Sequence, residues 1–309
     1  MQIFRSIDEL GCVPGPVFLS IGVFDGVHVG HQAVIRRALD DAAEAGGSAV
    51  VVTFDPHPVR VLRPESAPRL LTSTRHQKVL LRRLGVRYLL IVPFDKTFAA
   101  TPPETFVRQL HAAASGLREI CVGHAWSFGK GRAGNLELLR ELGDRLGFDE
   151  VGIPAVEVEG QIVSSTLTRA AVEAGELEKA ARFLGRPFSL LGTVTEGRKL
   201  GRDLGFPTAN LRAHNEQFPP NGVYAVRALL PGEREARPGV LNIGTRPTVH
   251  GDAVDRVPEL HLFGYEGDLY GIDVEVFFQS FIRPERRFPD VEALKAQIAE
   301  DVAEARRRL

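Results

Sequence analysis

Two histidines in a glycine-rich turn are the first residues whose type and spacing could do chemistry. The segment Ile21-Gly22-Val23-Phe24-Asp25-Gly26-Val27-His28-Val29-Gly30-His31 leaves an apolar run and enters an amphipathic one, so it is expected to turn from a strand into a helix. A helix N-terminus offers N–H groups without intrahelical partners and a partial positive charge. Gly22, Gly26 and Gly30 would let backbone approach a phosphate closely, and Phe24 and Asp25 join them as candidate binding residues. His28 and His31 stand three apart, so at a helix start they point to one side. Two imidazoles aimed at one anion can stabilise charge that builds on phosphorus and on departing pyrophosphate, with no covalent intermediate. A zinc site would need a third ligand at a usual spacing, and none accompanies the pair. A capping or packed role is the remaining alternative, weakened by two histidines beside three glycines.

A second cluster follows. Ser164, Ser165 and Thr166 begin a helical segment and Arg169 lies one turn on, a set that could clamp triphosphate oxygens or be an ordinary cap beside an exposed Arg. In the C-terminal half, Gly192 and Gly197 with Lys199 imitate a P-loop and fail as one, because Arg198 precedes the lysine and Leu200 follows it. What remains is a glycine-rich stretch ending at Gly205, a candidate cover for a nucleotide, that runs into Phe206-Pro207-Thr208-Ala209-Asn210. Thr208 and Asn210 are two apart, so in an extended segment they face one way and supply hard oxygen ligands for Mg²⁺. Glu259, in Pro258-Glu259-Leu260-His261-Leu262, is a candidate base for an alcohol attacking a γ-phosphate; a solvent-facing polar stripe would explain the alternation equally well.

The elements that must position these residues differ between the two halves. VFLSIGVF, SAVVVTF, RYLLIVPF and REICVGH read as buried strands, with helical spacing over 30–45, 74–84, 102–115 and 134–147. That alternation predicts a parallel sheet covered by helices, an α/β fold. Two short helices follow, ending at Gly185 before Pro187, and the domain boundary is placed there: residues 1–185 and 186–309. Beyond it FSLLGTVT, GVYAVRALL, RPGVLNIG, PELHLFGY and GIDVEVFFQSFI suggest an antiparallel barrel. The chain closes in a helix capped by Asp290, with Val291, Leu294, Ile298 and Val302 on one face and Arg306 to Arg308 as a solvated end.

Length and composition bound the function classes. At 309 residues two domains are expected, and 44% hydrophobic with 25% charged residues is ordinary for globular chains. A net charge of −1 provides no global field for nucleic acid or an anionic membrane, so neither is expected as a partner. The two cysteines, Cys12 and Cys121, form no disulfide framework, and no apolar run approaches the roughly 20 residues of a membrane span. A reduced, cytoplasmic setting is expected.

GVFDGVHVGH resembles the HxGH signature of the nucleotidyltransferase superfamily. With Thr53-Phe54-Asp55-Pro56-His57-Pro58, Ser127-Phe128-Gly129-Lys130-Gly131 and Ser164-Ser165-Thr166 with Arg169, the first half is similar to the adenylyltransferase half of the bacterial bifunctional riboflavin kinase and FMN adenylyltransferase family. GRDLGFPTANL, Leu241 to Thr248, Glu259 with His261, Asp268 to Gly271 and Phe281 to Glu285 resemble its riboflavin kinase domain. The resemblance implies a Rossmann-like nucleotidyltransferase domain followed by a six-stranded antiparallel barrel. It implies that Thr208 and Asn210 carry magnesium, that Glu259 is the base, that ATP serves both sites, and that riboflavin and FMN are the other substrates. Asp55 and His57 could line the flavin side or merely form a Pro-bounded turn. This chain has Ala125 and Trp126 where the family usually has Asp and Phe, Thr168 for an aliphatic residue, and Gly264 for Asp. Trp126 could stack on a flavin ring or fill the core, and the core is the preferred reading.

Rival readings are a transferase with another acceptor and a passive barrel, and a flavin-binding regulator without chemistry. Thr208, Asn210 and Glu259 oppose the first, and the two histidines with near-zero charge oppose the second.

Overall fold

The structure is a computed structural model that describes residues 1–196, 205–247 and 254–309. It divides into two compact units, Met1–Arg69 with Gln77–Ser165, and Leu70–His76 with Thr166–Leu309. The boundary expected after Gly185 differs from this partition by the segments 70–76 and 166–185.

The first unit is built on six parallel strands: β1 (Gln2–Phe4), β2 (Val17–Ile21), β3 (Ser48–Asp55), β4 (Tyr88–Pro93), β5 (Leu117–Gly123) and β6 (Asp149–Ile153), in the order β1-β4-β3-β2-β5-β6. Their residues alternate between two cores. Val50, Val52, Leu90, Val92, Ile120 and Val122 belong to one, and Val51, Leu89, Ile91 and Cys121 to the other. Burial on both faces is why these strands read as continuous apolar runs rather than alternating ones. Helix α1 (Val29–Glu44) and the helix Thr74–Arg83 carry residues of the second core, while the helices Pro103–Ala113 and Leu136–Leu146 carry residues of the first. From β2 the chain runs outward to β3 and β4 on one side and returns to β5 on the other. The carboxyl end of β2 is therefore the topological switch point, where open α/β sheets bind ligands.

Four strands were expected in this sheet and six are found. β1 has three residues with only Phe4 buried, and β6 reads DEVGI without a buried position, so neither edge strand carries an apolar run.

In the second unit, α7 (Ser165–Glu173; its numbering follows two single-turn helices, Pro58–Leu62 and Lys96–Ala99) and α8 (Leu177–Leu184) precede the barrel. Gly185 ends α8 at φ 66°, as expected of a left-handed helix terminus. After the small hairpin β7 (Glu157–Val158) and β8 (Gln161–Ile162) of the first unit, the barrel strands are β9 (Ser189–Thr195), β10 (Ala209–Ala213), β11 (Gly222–Leu229), β12 (Arg237–Pro247), β13 (Val254–Leu262) and β14 (Asp273–Arg283). They close in the order β10-β13-β12-β11-β14-β9, every pair antiparallel. Five of the six were visible as apolar runs; β10, ANLRA, lacks β-branched residues and is made a strand by its partners on β9 and β13.

The terminal helix, Val291–Arg308, starts at Asp290, whose Oδ1 accepts the Ala293 N–H at 2.7 Å. Leu294, Ile298 and Val302 face the barrel as expected, but Val291 is 54% exposed. The arginine end is not simply solvated. Arg306 lies over the Phe263 ring at 4.5 Å and Arg308 Nη1 donates to the Phe281 carbonyl at 2.6 Å.

A buried acidic pair in the first unit gives stability a pH dependence. Glu119 on β5 is buried beside Asp41 of α1, and Cys121 Sγ donates to its Oε1 at 2.8 Å. Burial first, then the Asp41 carboxylate, push Glu119 up to about 7, against the opposing pull of the Cys121 bond and of Arg37. Native Glu119 thus keeps its proton where the unfolded chain has lost it, so this group's contribution falls as pH rises from about 4.5 to about 7. Glu119→Gln is expected to remove that slope and to raise the Tm at pH 8 relative to the parent, as thermal melts between pH 5 and 8 would record.

Candidate active sites

The turn after β2 is pinned by buried polar side chains. Gly22 N–H donates to Val52 O at 3.0 Å, Thr53 Oγ1 and Gln77 Nε2 both donate to Val23 O at 3.1 and 2.8 Å, and Gln32 Nε2 donates to Val27 O at 2.9 Å. These bonds hold a backbone that places Phe24 at φ 55° and Val27 at φ 44°, conformations costly for such residues. Gln32 and Gln77 are not singled out from sequence, and Thr53 stands there only as the first residue of a quoted motif, without a role. A polar residue interrupting an apolar strand or helix face is the signal each carries.

The turn delivers the two imidazoles together. His28 is the N-cap of α1, and its Nδ1 accepts the His31 N–H at 3.3 Å, which places the proton of neutral His28 on Nε2. The rings stack with centroids 3.5 Å apart, and Phe24 meets His31 edge-on at 5.3 Å. Desolvation, with the neighbouring His28 second, holds His31 well below the usual imidazole range, so it is neutral at pH 7. His31 Nδ1 is buried with no hydrogen-bond partner among the described residues. An anion accepting from that nitrogen would satisfy it.

Several expected binding residues have another place. Phe24 is 1% exposed and supports the His31 ring rather than offering a surface. A Cβ on Gly22 would lie 2.8 Å from the Phe24 ring and one on Gly30 would lie 3.2 Å from His28, so these glycines clear space for side chains of the site. Asp25 is buried, and its carbonyl accepts from Oγ of Ser165, the last residue of the first unit, at 2.9 Å. Ser164 is half-buried just before α7. Thr166 and Arg169 fall on α7 within the second compact unit. Asp55 ends β3, and His57 caps the next helical turn through its Nδ1, which accepts from Val59 N–H at 3.2 Å. Trp126 stacks on Phe128 at 4.3 Å against the core.

In the second unit, β-register assembles the other cluster. Glu259 on β13 stands directly opposite Asn210 of β10 on one side and Asn242 of β12 on the other. Leu260 and Leu262 are buried while Glu259 and His261 line a cavity of about 250 Å³ between the barrel and the terminal helix. Thr208, just before β10, lines this cavity and a second of about 320 Å³ bounded by Tyr265 to Tyr270. Asn210 lines neither and is buried beside Glu259. His261 Nδ1 is 2.9 Å from Pro207 O and so ties the exposed Pro207 segment to β13. Asn242 carried no assigned role in the sequence reading; only strand register brings it to Glu259.

Gly192 corrects the expectation of a loop. It lies inside β9, opposite Ala213 and Val274, and a Cβ there would press within 3.2 Å of Arg212 O, so strand packing explains it. Gly205 is exposed at φ 85° and suits the loop. Gly197 and Lys199 lie outside the described residues. Gly264 adopts φ 65°, a conformation that Asp tolerates better than most residues.

A doubly wound parallel sheet with paired histidines at its switch point, followed by a closed barrel with a carboxylate between two asparagines, defines a two-module α/β and β-barrel protein. Comparison with known proteins narrows the class. Residues 13–167 match the family described as FAD synthetase and residues 184–309 match riboflavin kinase. The chain is 38% identical over 307 residues to the bifunctional riboflavin kinase/FMN adenylyltransferase of Escherichia coli K12, covering 99% of this chain and 97% of that one. It is 39% identical over 311 residues to the protein of the same name from Pseudomonas fluorescens, with the same coverage. A crystal structure described as a macrolide-efflux protein from Streptococcus pneumoniae aligns with a TM-score of 0.83 at 27% identity, covering 100% of this chain and 99% of that one. The chain belongs to the bifunctional riboflavin kinase/FMN adenylyltransferase family. Among the described residues no helix is long and apolar enough to cross a membrane.

Proposed function

We infer that the chain makes FAD from riboflavin in two ATP-dependent steps at two sites: phosphorylation of riboflavin to FMN, then adenylyl transfer from ATP to FMN with release of pyrophosphate. The division into an adenylyltransferase domain over 1–185 and a kinase domain over 186–309 is supported by the family matches over 13–167 and 184–309. The observation that carries the kinase reading is Thr208 in the wall of two cavities, with Glu259 in one of them. The more apolar cavity, with Val223, Val240 and Phe288, suits the flavin ring; the second, bounded by Tyr265 and Tyr270, is left for ATP.

In the kinase step Glu259 orients the ribityl hydroxyl and accepts its proton as that oxygen attacks the γ-phosphorus and ADP leaves. Thr208, in the cavity wall with Glu259, and Asn210, directly opposite Glu259 on the neighbouring strand, are the residues that would hold a magnesium ion, each offering a neutral oxygen. Mg²⁺ there would neutralise phosphate charge. In the adenylyl step the FMN phosphate attacks the α-phosphorus of ATP, and His28 and His31 stabilise the charge that develops on the phosphoryl oxygens and on pyrophosphate. The orphaned His31 Nδ1 supports this role. Arg169, with Ser164, Ser165 and Thr166, supplies further phosphate donors, and Gly26, Gly205 and Pro207 line or cover the nucleotides.

Incubation with riboflavin, ATP and Mg²⁺, with flavins separated by chromatography, is expected to give FMN and then FAD. Excess EDTA should stop both. Unchanged turnover in EDTA would remove Thr208 and Asn210 from a metal site, and absence of FMN would end the kinase reading.

A further inference from the structure

One wall of the apolar cavity lies outside the barrel strands, and Arg283 joins that wall to the barrel beside the cavity, in addition to the Arg306 and Arg308 contacts at the end of the helix. That wall is the terminal helix and the turn 284–288, neither of which belongs to a barrel strand. Arg283, the last residue of β14, connects to both. Its Nε and Nη2 donate to Asp301 Oδ1 and Oδ2 at 2.8 and 2.7 Å, a bidentate pair with the middle of the terminal helix. Its Nη1 donates to Pro284 O at 3.0 Å, and its guanidinium lies over the Phe288 ring at 5.7 Å. Asp301 is only 4% exposed, and Gln297 Nε2, one turn earlier, donates to the same Oδ1 at 2.9 Å.

We propose that Arg283, through Asp301, is a positioning residue for the acceptor: it sets the distance of the terminal helix and of Phe288 from the barrel, and thereby the affinity for the flavin ring. The inference rests on the assignment of this cavity to riboflavin. Its physical basis is that a planar fork satisfies Asp301 with two N–H groups, Pro284 with a third and Phe288 with its face, at once. A lysine ammonium keeps the charge but cannot hold these partners in one plane. Glu259 is placed by strand register and Thr208 directly precedes β10, both on the barrel side of the cavity and away from this clasp. Loosening the clasp therefore weakens acceptor binding more than it slows phosphoryl transfer.

The test is steady-state kinetics of the full chain with Arg283→Lys, and with Asp301→Asn, which keeps the shape and leaves the Pro284 and Phe288 contacts in place. Arg283→Lys should raise the KM for riboflavin about tenfold or more, with kcat changed less than about threefold and KM for ATP unchanged. Asp301→Asn should shift the same constant in the same direction by less. Adenylylation of added FMN should be unaffected in both. A lowered Tm with an unaltered riboflavin KM would reduce the pair to a stability element and overturn the proposal, as would a fall in kcat at constant KM. Glu259→Gln run alongside separates the two levels: if it retains full kinase rate the site assignment fails, whereas if it is inactive and Arg283→Lys behaves as the parent, only the clasp fails.

Discussion

Replacing His28 and His31 together by Ala is expected to lower FMN adenylylation by roughly a thousandfold or more, the scale set by removing preorganised donors from a developing oxyanion. Riboflavin phosphorylation by the same preparation should continue at its ordinary rate. The two histidines also have a local structural role, since His28 caps α1 through its Nδ1, and loss of such a cap costs about 1 kcal/mol. His28→Asn separates the roles, because Asn caps well but brings no imidazole. If His28→Asn restored adenylylation while His28→Ala lacked it, the side chain would be a cap and nothing more. His31 offers a complementary reading. It is neutral at pH 7, so a phosphate that binds it should raise its pKa. Comparing the His31 titration by NMR with and without an ATP analogue would reveal that shift.

The second large effect is expected at Glu259. Glu259→Gln keeps the size and the register with Asn210 and Asn242 but cannot accept the hydroxyl proton, and kinase turnover should fall by about 10²- to 10⁴-fold. Asn210→Ala should also stop FMN synthesis, by removing an oxygen donor beside that carboxylate. In both variants conversion of added FMN to FAD should persist. A kinase that kept its full rate in Glu259→Gln would exclude Glu259 as the base and return it to a polar stripe on the barrel wall.

Much of this arrangement could be read from the chain, and the reasons for the remainder are physical. Strands buried on two faces announce themselves, so β2 to β5 are plain, whereas β1 and β6 lie at the sheet edges and bury little. The histidine pair is local in sequence and therefore visible. Its supports are not: Thr53 and Gln77 reach Val23 from elements 30 and 54 residues away, and no short motif encodes such a contact. Phe24 shows the opposite failure. Its place within a recognisable motif suggested a binding role, yet tertiary packing turns it inward behind His31. Gly192 likewise looked like part of a phosphate loop until β9 claimed it. In the barrel the spacing of Thr208 and Asn210 was legible, but their meeting with Glu259, and that of Asn242, depends on pairing among β10, β13 and β12. Arg283 and Asp301 are 18 residues apart and meet only because the terminal helix folds back on the strand.

Both activities residing in separate sites of one chain can be tested by mixing. The His28→Ala/His31→Ala protein and the Glu259→Gln protein are each given riboflavin, ATP and Mg²⁺, alone and together, and the flavins are separated by chromatography. The expectation is FMN only from the first, unreacted riboflavin from the second, and FAD from the mixture. FAD from either variant alone, or loss of both activities in each, would contradict it.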